Sequence, residues 1–261
     1  MKRVFDFSAA LAGLIVFAPL FAAIALAVWL ADRHSPFYRG VRLTRGAAEF
    51  RMLKFRTMIP DAWRSGVYAT ASGDPRITPV GTWLRAAKLD ELPQLWNVLT
   101  GDMSLVGPRP QVPSDAQWFT TEERRLLEIR PGITDLASLI FANESTLLGG
   151  APDPDLLTQQ ILRPWKSRLA LAYRDRGGDL LTDLRIIGLT LLAAFSPARA
   201  REGVARILTR WQADPLLRTL LRRLDSGQPP PPWPPPGAVM IAGTAQAAAA
   251  SAPSSFEGSR R

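Results

Sequence analysis

Two adjacent carboxylates, Asp90 and Glu91, stand just ahead of a proline in the stretch Leu89-Asp90-Glu91-Leu92-Pro93-Gln94-Leu95-Trp96-Asn97-Val98-Leu99. Proline is tolerated in the first turn of a helix, so this spacing predicts the pair at a helix N-terminus. Free amides and the helix dipole favour an ionised carboxylate there, and equally a bound phosphate. Neighbouring helical residues point roughly 100° apart, so the two should not share a proton as facing carboxylates do. A division of labour suits them better. One can attack phosphorus while the other holds a divalent cation that neutralises phosphate oxygens. On the dipeptide alone, a simple capping cluster explains the same residues, because acidic residues are common at helix starts.

Absences narrow the chemistry. The chain has no cysteine, which excludes disulfides, thiolate nucleophiles and Cys-ligated zinc. Its one histidine, His34, sits beside an apolar stretch, which argues against a Ser/His/Asp triad or a multi-His metal site. Catalysis, if present, falls to carboxylates. A net charge of +9 suits an anionic partner such as nucleic acid, phospholipid head groups or a diphosphate. The lysines are Lys2, Lys54, Lys88 and Lys166 alone, so a lysine is more telling here than any one of the many arginines.

These residues need elements to hold them. At 261 residues and 47% apolar content the chain can form a domain with a substantial core. Phe7 to Ala31 is apolar apart from Ser8 and exceeds the roughly 20 residues that cross a bilayer as a helix. Basic residues flank it on both sides, Lys2 and Arg3 before and Arg33, Arg39, Arg42 and Arg45 after, and Pro19 interrupts the middle. That pattern fits a bent, re-entrant membrane helix with both ends on one face, and a straight span with an internal proline remains open. Phe37 to Phe55 reads as a β-hairpin turning at Thr44-Arg45-Gly46. Asp153-Pro154 and Asp214-Pro215 read as helix starts, Gly177-Gly178 and Ser196-Pro197 as stops.

Leu180 to Phe195 and Arg199 to Leu224 have helical amphipathic spacing, the second with arginines between Val204, Ile207, Leu208, Trp211, Leu217 and Leu220. Such helices either pack on the core or lie in an anionic membrane interface, and the arginine and tryptophan favour the interface. The Pro-, Ala- and Ser-rich end beyond Ser226 cannot build a core and is expected to be disordered. The expected fold is α+β and mostly helical. It divides into a membrane helix over 1–36, a catalytic domain over 37–195, basic amphipathic helices over 196–226 and a tail over 227–261.

The carboxylate segment continues as Gly101-Asp102-Met103-Ser104-Leu105-Val106-Gly107-Pro108-Arg109-Pro110. Together with Lys2-Arg3-Val4-Phe5-Asp6, Lys54-Phe55-Arg56-Thr57-Met58 and Arg130-Pro131-Gly132-Ile133-Thr134, in that order, it resembles the bacterial sugar transferases, the monotopic polyprenyl-phosphate phosphoglycosyl transferases. The resemblance covers about Lys2 to Phe195. It implies that the residue matching Asp90 attacks the sugar-bearing phosphate of a UDP-sugar and releases UMP. Polyprenyl phosphate then takes the phosphosugar from the enzyme, with Mg²⁺ positioned by the residue matching Glu91. In-line phosphoryl transfer needs positioning and charge neutralisation more than an acid-base relay, which a chain with one histidine can supply.

Lys54, Arg56, Arg109 and Arg130 fall within the matching motifs and are candidates for phosphate contact, with solvated surface charge as the alternative. Gln94, Asp102 and Ser104 are as readily caps or turn residues, and Gly101, Gly107 and Gly132 are expected in tight turns. The chain departs from the common family pattern at Asp135-Leu136-Ala137-Ser138 and Asn143-Glu144, a region expected to shape the sugar or nucleotide pocket. It also has Ala18 where a serine often precedes the bend proline. The implied setting is the cytoplasmic face of a bacterial inner membrane, with membrane lipids as neighbours and initiation of a lipid-linked glycan as the task. Homo-oligomers and downstream glycosyltransferases are further partners of that setting. The rival from another class is a catalytically silent membrane-surface scaffold. Nucleic acid is not expected as a partner, because the arginines are dispersed and the apolar run points to lipid.

Overall fold

The computed structural model describes residues 1–65, 70, 73–148 and 153–237. Helices α1 (Lys2–Val16) and α2 (Ala18–Asp32) form the apolar N-terminal pair, bent by 63°. No single helix among the described residues is long and apolar enough to cross a membrane; this bent pair meets the test only together. The break falls at Phe17, and Pro19 is the second residue of α2. A proline there removes the amide that would bond the Ile15 carbonyl and crowds that carbonyl with its ring, so the helix must restart just upstream. One side of α2 packs through Ile24 and Val28 against Phe55 and Leu84, while Leu26, Trp29 and Leu30 stay exposed.

Strands β1 (Phe37–Leu43) and β2 (Glu49–Phe55) pair antiparallel around a 3₁₀ turn at Arg45–Ala47, where Gly46 adopts φ 78°. The left-handed conformation is the one for which glycine is suited. Helix α3 (Pro79–Ala86) begins at a Thr78 cap and leads into a 3₁₀ turn at Leu89–Glu91, then α4 (Gln94–Thr100). Strands β3 (Ser104–Val106) and β4 (Gly132–Thr134) pair in parallel, with α5 (Pro113–Ala116) and α6 (Thr121–Arg124) between them in sequence. This short sheet joins the Gly101–Pro110 motif to the Arg130–Thr134 motif. Gly107 and Gly132 serve this approach rather than turns: a Cβ on Gly132 would lie 2.1 Å from the Gly107 nitrogen, and one on Gly107 would lie 2.5 Å from the Arg130 carbonyl oxygen. Only Gly101, at φ 96°, has the turn role expected of all three.

The rest is helical: α7 (Leu136–Ile140), α8 (Glu144–Leu148), α9 (Pro154–Leu157), α10 (Arg163–Arg176), α11 (Leu180–Ala193), α12 (Pro197–Arg210) and α13 (Pro215–Asp225). Asp153, Asp179 and Asp214 cap α9, α11 and α13 through backbone amides. The apolar sides of α12 and α13 do not face outward. Val204, Leu208, Leu217 and Leu220 are buried in one core with Trp165 and Leu169 of α10 and Leu136 and Ile140 of α7. The interfacial role expected of Arg199 to Leu224 is therefore corrected: these helices cover the core and turn arginines to solvent. Helix α11 retains an exposed apolar side at Leu181, Leu184 and Leu191, continued by Phe195, which is 90% exposed.

The Pro-rich segment also departs from expectation. Up to Gly237 it is not a free tail but a strap along α10: Trp165 donates from Nε1 to the Pro231 carbonyl at 2.7 Å, Arg168 donates to Pro234 at 2.9 Å, and Thr120 donates to Pro236 at 2.5 Å. Trp233 lies with its ring centroid 6.4 Å from that of Trp165. Proline sequences lose little entropy on docking because φ is already fixed. The part of the expected tail beyond 237 lies outside the described residues.

Candidate active site

Asn97 in α4 does the local positioning. Its carboxamide accepts from the Leu53 amide at 2.9 Å and donates to the Arg51 carbonyl at 2.9 Å, clamping the free edge of β2 to the helix. With β2 fixed in register, Lys54 extends to Glu91 and bonds Oε1 at 2.5 Å, with Asp90 Oδ2 3.9 Å away. Arg109, placed by the turn after β3, brings Nη1 to 3.5 Å of the same Glu91 oxygen while 55% of its side chain stays accessible. Four of the motif residues thus form one cluster with two carboxylates and two cations.

Asp90 and Glu91 occupy the 3₁₀ turn before Pro93, and α4 starts only at Gln94. They stand just ahead of a helix start, as the spacing predicts, but in a 3₁₀ turn rather than in the first turn of α4. Lys88, in the left-handed region at φ 57°, redirects the chain after α3. The bonds Leu92 to Leu89, Leu95 to Leu92 and Trp96 to Pro93 all span three residues, so little aligned helix dipole reaches the carboxylates.

The two carboxylates experience opposite surroundings. Burial pushes the Asp90 carboxyl above the ordinary range, against the attraction of Lys54, with the Glu91 charge adding to the rise and Arg85 and Lys88 opposing it. For Glu91, burial also pushes upward, but Lys54 and Arg109 outweigh it and hold the group at about 2. Among the described residues no donor hydrogen-bonds the Asp90 carboxylate, which is 8% exposed as a residue. Burial likewise lowers Lys54, with Glu91 and Asp90 opposing that shift and Arg109 reinforcing it. Neighbouring titratable groups driven apart in this way are the arrangement by which two carboxylates take different roles in a site.

Two candidates go elsewhere. Arg56 forks onto Asp32 at 2.5 and 2.6 Å and donates to the Ser35 carbonyl at 2.7 Å, tying the end of α2 to β2. Arg130 donates from Nε to the Gly101 carbonyl at 2.8 Å, at the end of α4 away from Glu91. Arg85 was not singled out from the sequence, yet it donates to the Thr57 hydroxyl at 2.9 Å and its charge acts on Asp90. Its position five residues before Asp90, across a helix break, offered only one more arginine in an arginine-rich chain. The departures from the family pattern also converge here: Glu144 and Asp135 both act on Arg109, raising it further after the larger effect of Glu91, and Glu144 pairs with Lys166 at 2.5 Å.

No group of three or more His, Cys, Asp or Glu side chains among the described residues is placed to hold a metal. A two-carboxylate oxygen set nevertheless suits Mg²⁺, which keeps waters and shares its coordination with substrate phosphates. Lys54 stands on the Glu91 oxygen that such an ion would take.

The bacterial sugar transferase family model matches residues 1–197. The chain belongs to that family. As a sugar transferase it is 41% identical over 163 residues to a UDP-glucose:undecaprenyl-phosphate glucose-1-phosphate transferase of Caulobacter vibrioides, a match covering 61% of this chain and 59% of that protein. A UDP-N-acetylgalactosamine-undecaprenyl-phosphate N-acetylgalactosaminephosphotransferase of Aeromonas hydrophila is 36% identical over 143 residues, 54% of this chain and 34% of the relative. The exopolysaccharide production protein PSS of Rhizobium leguminosarum bv. phaseoli is 34% identical over 206 residues, covering 75% of this chain and 96% of that protein. The sugar transferase match takes in every motif quoted above and ends at the start of α12.

Proposed function

We propose that this sugar transferase moves a sugar 1-phosphate from a UDP-sugar to polyprenyl phosphate, undecaprenyl phosphate in the relatives named above, through a phosphosugar ester on Asp90. The observation that carries the reading is the contrast within the pair: Glu91 is clamped by Lys54 and Arg109, while among the described residues no donor hydrogen-bonds the Asp90 carboxylate. An oxygen of Asp90 attacks the sugar-bearing phosphorus, a P–O bond forms, and the phosphoanhydride bond breaks with its electron pair leaving on UMP. A phosphate oxygen of the polyprenyl acceptor then attacks the same phosphorus and the Asp90 carboxylate departs, restored. No net proton transfer is required of the protein, consistent with the lack of a nearby histidine.

Lys54 and Arg109 supply the positive charge that transferring phosphoryl oxygens require, Arg109 from the accessible side. Glu91, ionised far below neutrality, together with Asp90 would hold Mg²⁺ once Lys54 turned to substrate phosphate; the ion would neutralise diphosphate charge. The setting proposed is the cytoplasmic face of a bacterial inner membrane, with the bent α1–α2 pair seated in lipid so that a lipid-borne acceptor reaches the site. Membrane seating is supported by the exposed Val4, Phe7, Leu11 and Ile15 on α1, an apolar surface of the kind soluble proteins cover. The product would begin a lipid-linked polysaccharide.

Release of UMP by detergent-solubilised protein with Mg²⁺, undecaprenyl phosphate and a panel of UDP-sugars tests the reading. Release from one donor, abolished by Asp90→Asn, is the expected result. No release from any donor by folded protein, or an Asp90→Asn variant that retains full activity, would overturn it.

A further inference from the structure

A hollow bordered by charged side chains lies at the opposite end of α4 from the carboxylate pair. It has a volume of about 370 Å³ and is lined by Lys2, Arg3, Arg45, Arg130 and Arg174, with Asp6 and Glu128 as its carboxylates. None of Lys54, Asp90, Glu91 and Arg109 borders it.

The bonds already made by these groups show what the hollow has to spare. Lys2 is paired with Asp183, and Arg174 with Glu128 and Asp175. Arg3 donates to the Val98 carbonyl at 2.5 Å and to Leu99 at 2.9 Å, so it caps α4. The Asp6 carboxylate is buried and satisfied by the Ser104 hydroxyl at 2.8 Å and the Leu105 amide at 3.2 Å. Arg130 uses only Nε, leaving both terminal nitrogens without a partner among the described residues, and Arg45 has no carboxylate partner among them. Two guanidinium groups with unused donors therefore face one hollow whose acids are already committed. An ionised phosphate is the ligand that two such forks match, through short charge-assisted bonds.

The surroundings identify what carries that phosphate. Lys2 and Arg3 are the polar end of α1, whose next turns expose Val4, Phe7 and Leu11. Lys2 reaches across to Asp183 of α11, and α11 exposes Leu181 and Leu184 close to Gly178, which borders the hollow. A cationic hollow at the polar end of two helices with exposed apolar sides suits a molecule with a charged head and apolar chains.

We propose that this hollow is a second anion site, separate from the carboxylate pair, that takes the phosphate head group of an anionic phospholipid and so fixes the depth and tilt of the protein on the bilayer. Arg130 then acts at this site rather than on the sugar nucleotide.

The test titrates dihexanoyl phosphatidylglycerol, below its micelle concentration, into the full chain held in an uncharged maltoside detergent and records heat of binding. Saturable binding is expected, weakened about tenfold by the charge reversal Arg45→Glu, which removes one attractive charge and adds a repulsive one at an exposed turn. Arg39→Glu, an exposed cation outside the hollow, and Arg109→Gln, at the carboxylate site, should both leave the affinity unchanged. Dihexanoyl phosphatidylcholine and inorganic phosphate should each bind at least about tenfold more weakly. Equal weakening by Arg39→Glu would reduce the effect to diffuse attraction. Loss of binding in Arg109→Gln would move the lipid to the carboxylate site, and inorganic phosphate binding as tightly as the lipid would make the ligand a free anion. Absence of saturable binding in folded protein overturns the site altogether.

Discussion

Burial disfavours the Asp90 carboxylate, and Lys54 supplies the largest opposing attraction. A nucleophile in that position must be ionised to react, so UMP release should fall in acid at a pH above the ordinary aspartate value of 3.8. Removing the lysine charge in Lys54→Met strips the attraction that lowers both Asp90 and Glu91, so the acid limb of the residual activity should move to higher pH. An unmoved limb, or one displaced to lower pH, would show that some other group sets it. Glu91 gives the matching stability statement. Its folded value of about 2 lies below the ordinary 4.5, so its contribution to folding is complete above pH 4.5 and is lost as pH falls from there towards 2.

At the scale of elements, the site depends on one carboxamide. Asn97 is buried, and its two bonds to the backbone of β2 are what bring the strand carrying Lys54 against the turn carrying Glu91. Replacing it by leucine leaves the Leu53 amide and the Arg51 carbonyl without partners. The expected cost is up to about 6 kcal/mol of stability in urea unfolding, since stranding a buried group costs about 1–3 kcal/mol and these two are part-buried. UMP release should fall as well, beyond the fraction of protein unfolded, because Lys54 is no longer held to Glu91. Loss of stability with unchanged turnover per folded molecule would separate the strand clamp from the chemistry.

Two outcomes belong to the molecule as a whole. Ending the chain after Gln228 removes the acceptors of Trp165, Arg168 and Thr120 and uncovers the Trp165 ring, so the melting temperature should drop by several degrees relative to a chain ended after Gly237. That runs against the expectation that the whole end beyond Ser226 is disordered. Identical melting of the two truncations would restore it. The N-terminal pair calls for a separate measurement. If α1 and α2 enter and leave one face of the bilayer, single cysteines at Met1 and at Ser35 should both react with an impermeant maleimide from the cytoplasmic side only. Labelling of the two from opposite sides would make the bent pair a span.

Much of the local structure was legible because it is decided locally. The β-hairpin about Gly46, the caps at Asp153 and Asp214 and the break near Pro19 follow from backbone preferences that act over a few residues. The ordered motifs likewise determined the family, and the absence of cysteine and near-absence of histidine restricted the chemistry to carboxylates. What the sequence could not determine depends on which distant segments meet. Amphipathic spacing alone does not say whether an apolar stripe faces lipid or protein, and α12 and α13 turn theirs into the core because α7 and α10 provide a complementary face. Among the four motif cations the scarcity of lysine favoured Lys54, but nothing along the chain distinguished Arg109 from Arg56 and Arg130. Only the tertiary structure separated Lys54 and Arg109, which reach Glu91, from Arg56 on Asp32 and Arg130 at the far end of α4, because an ionic contact requires approach within a few ångströms and no local rule sets that distance between elements.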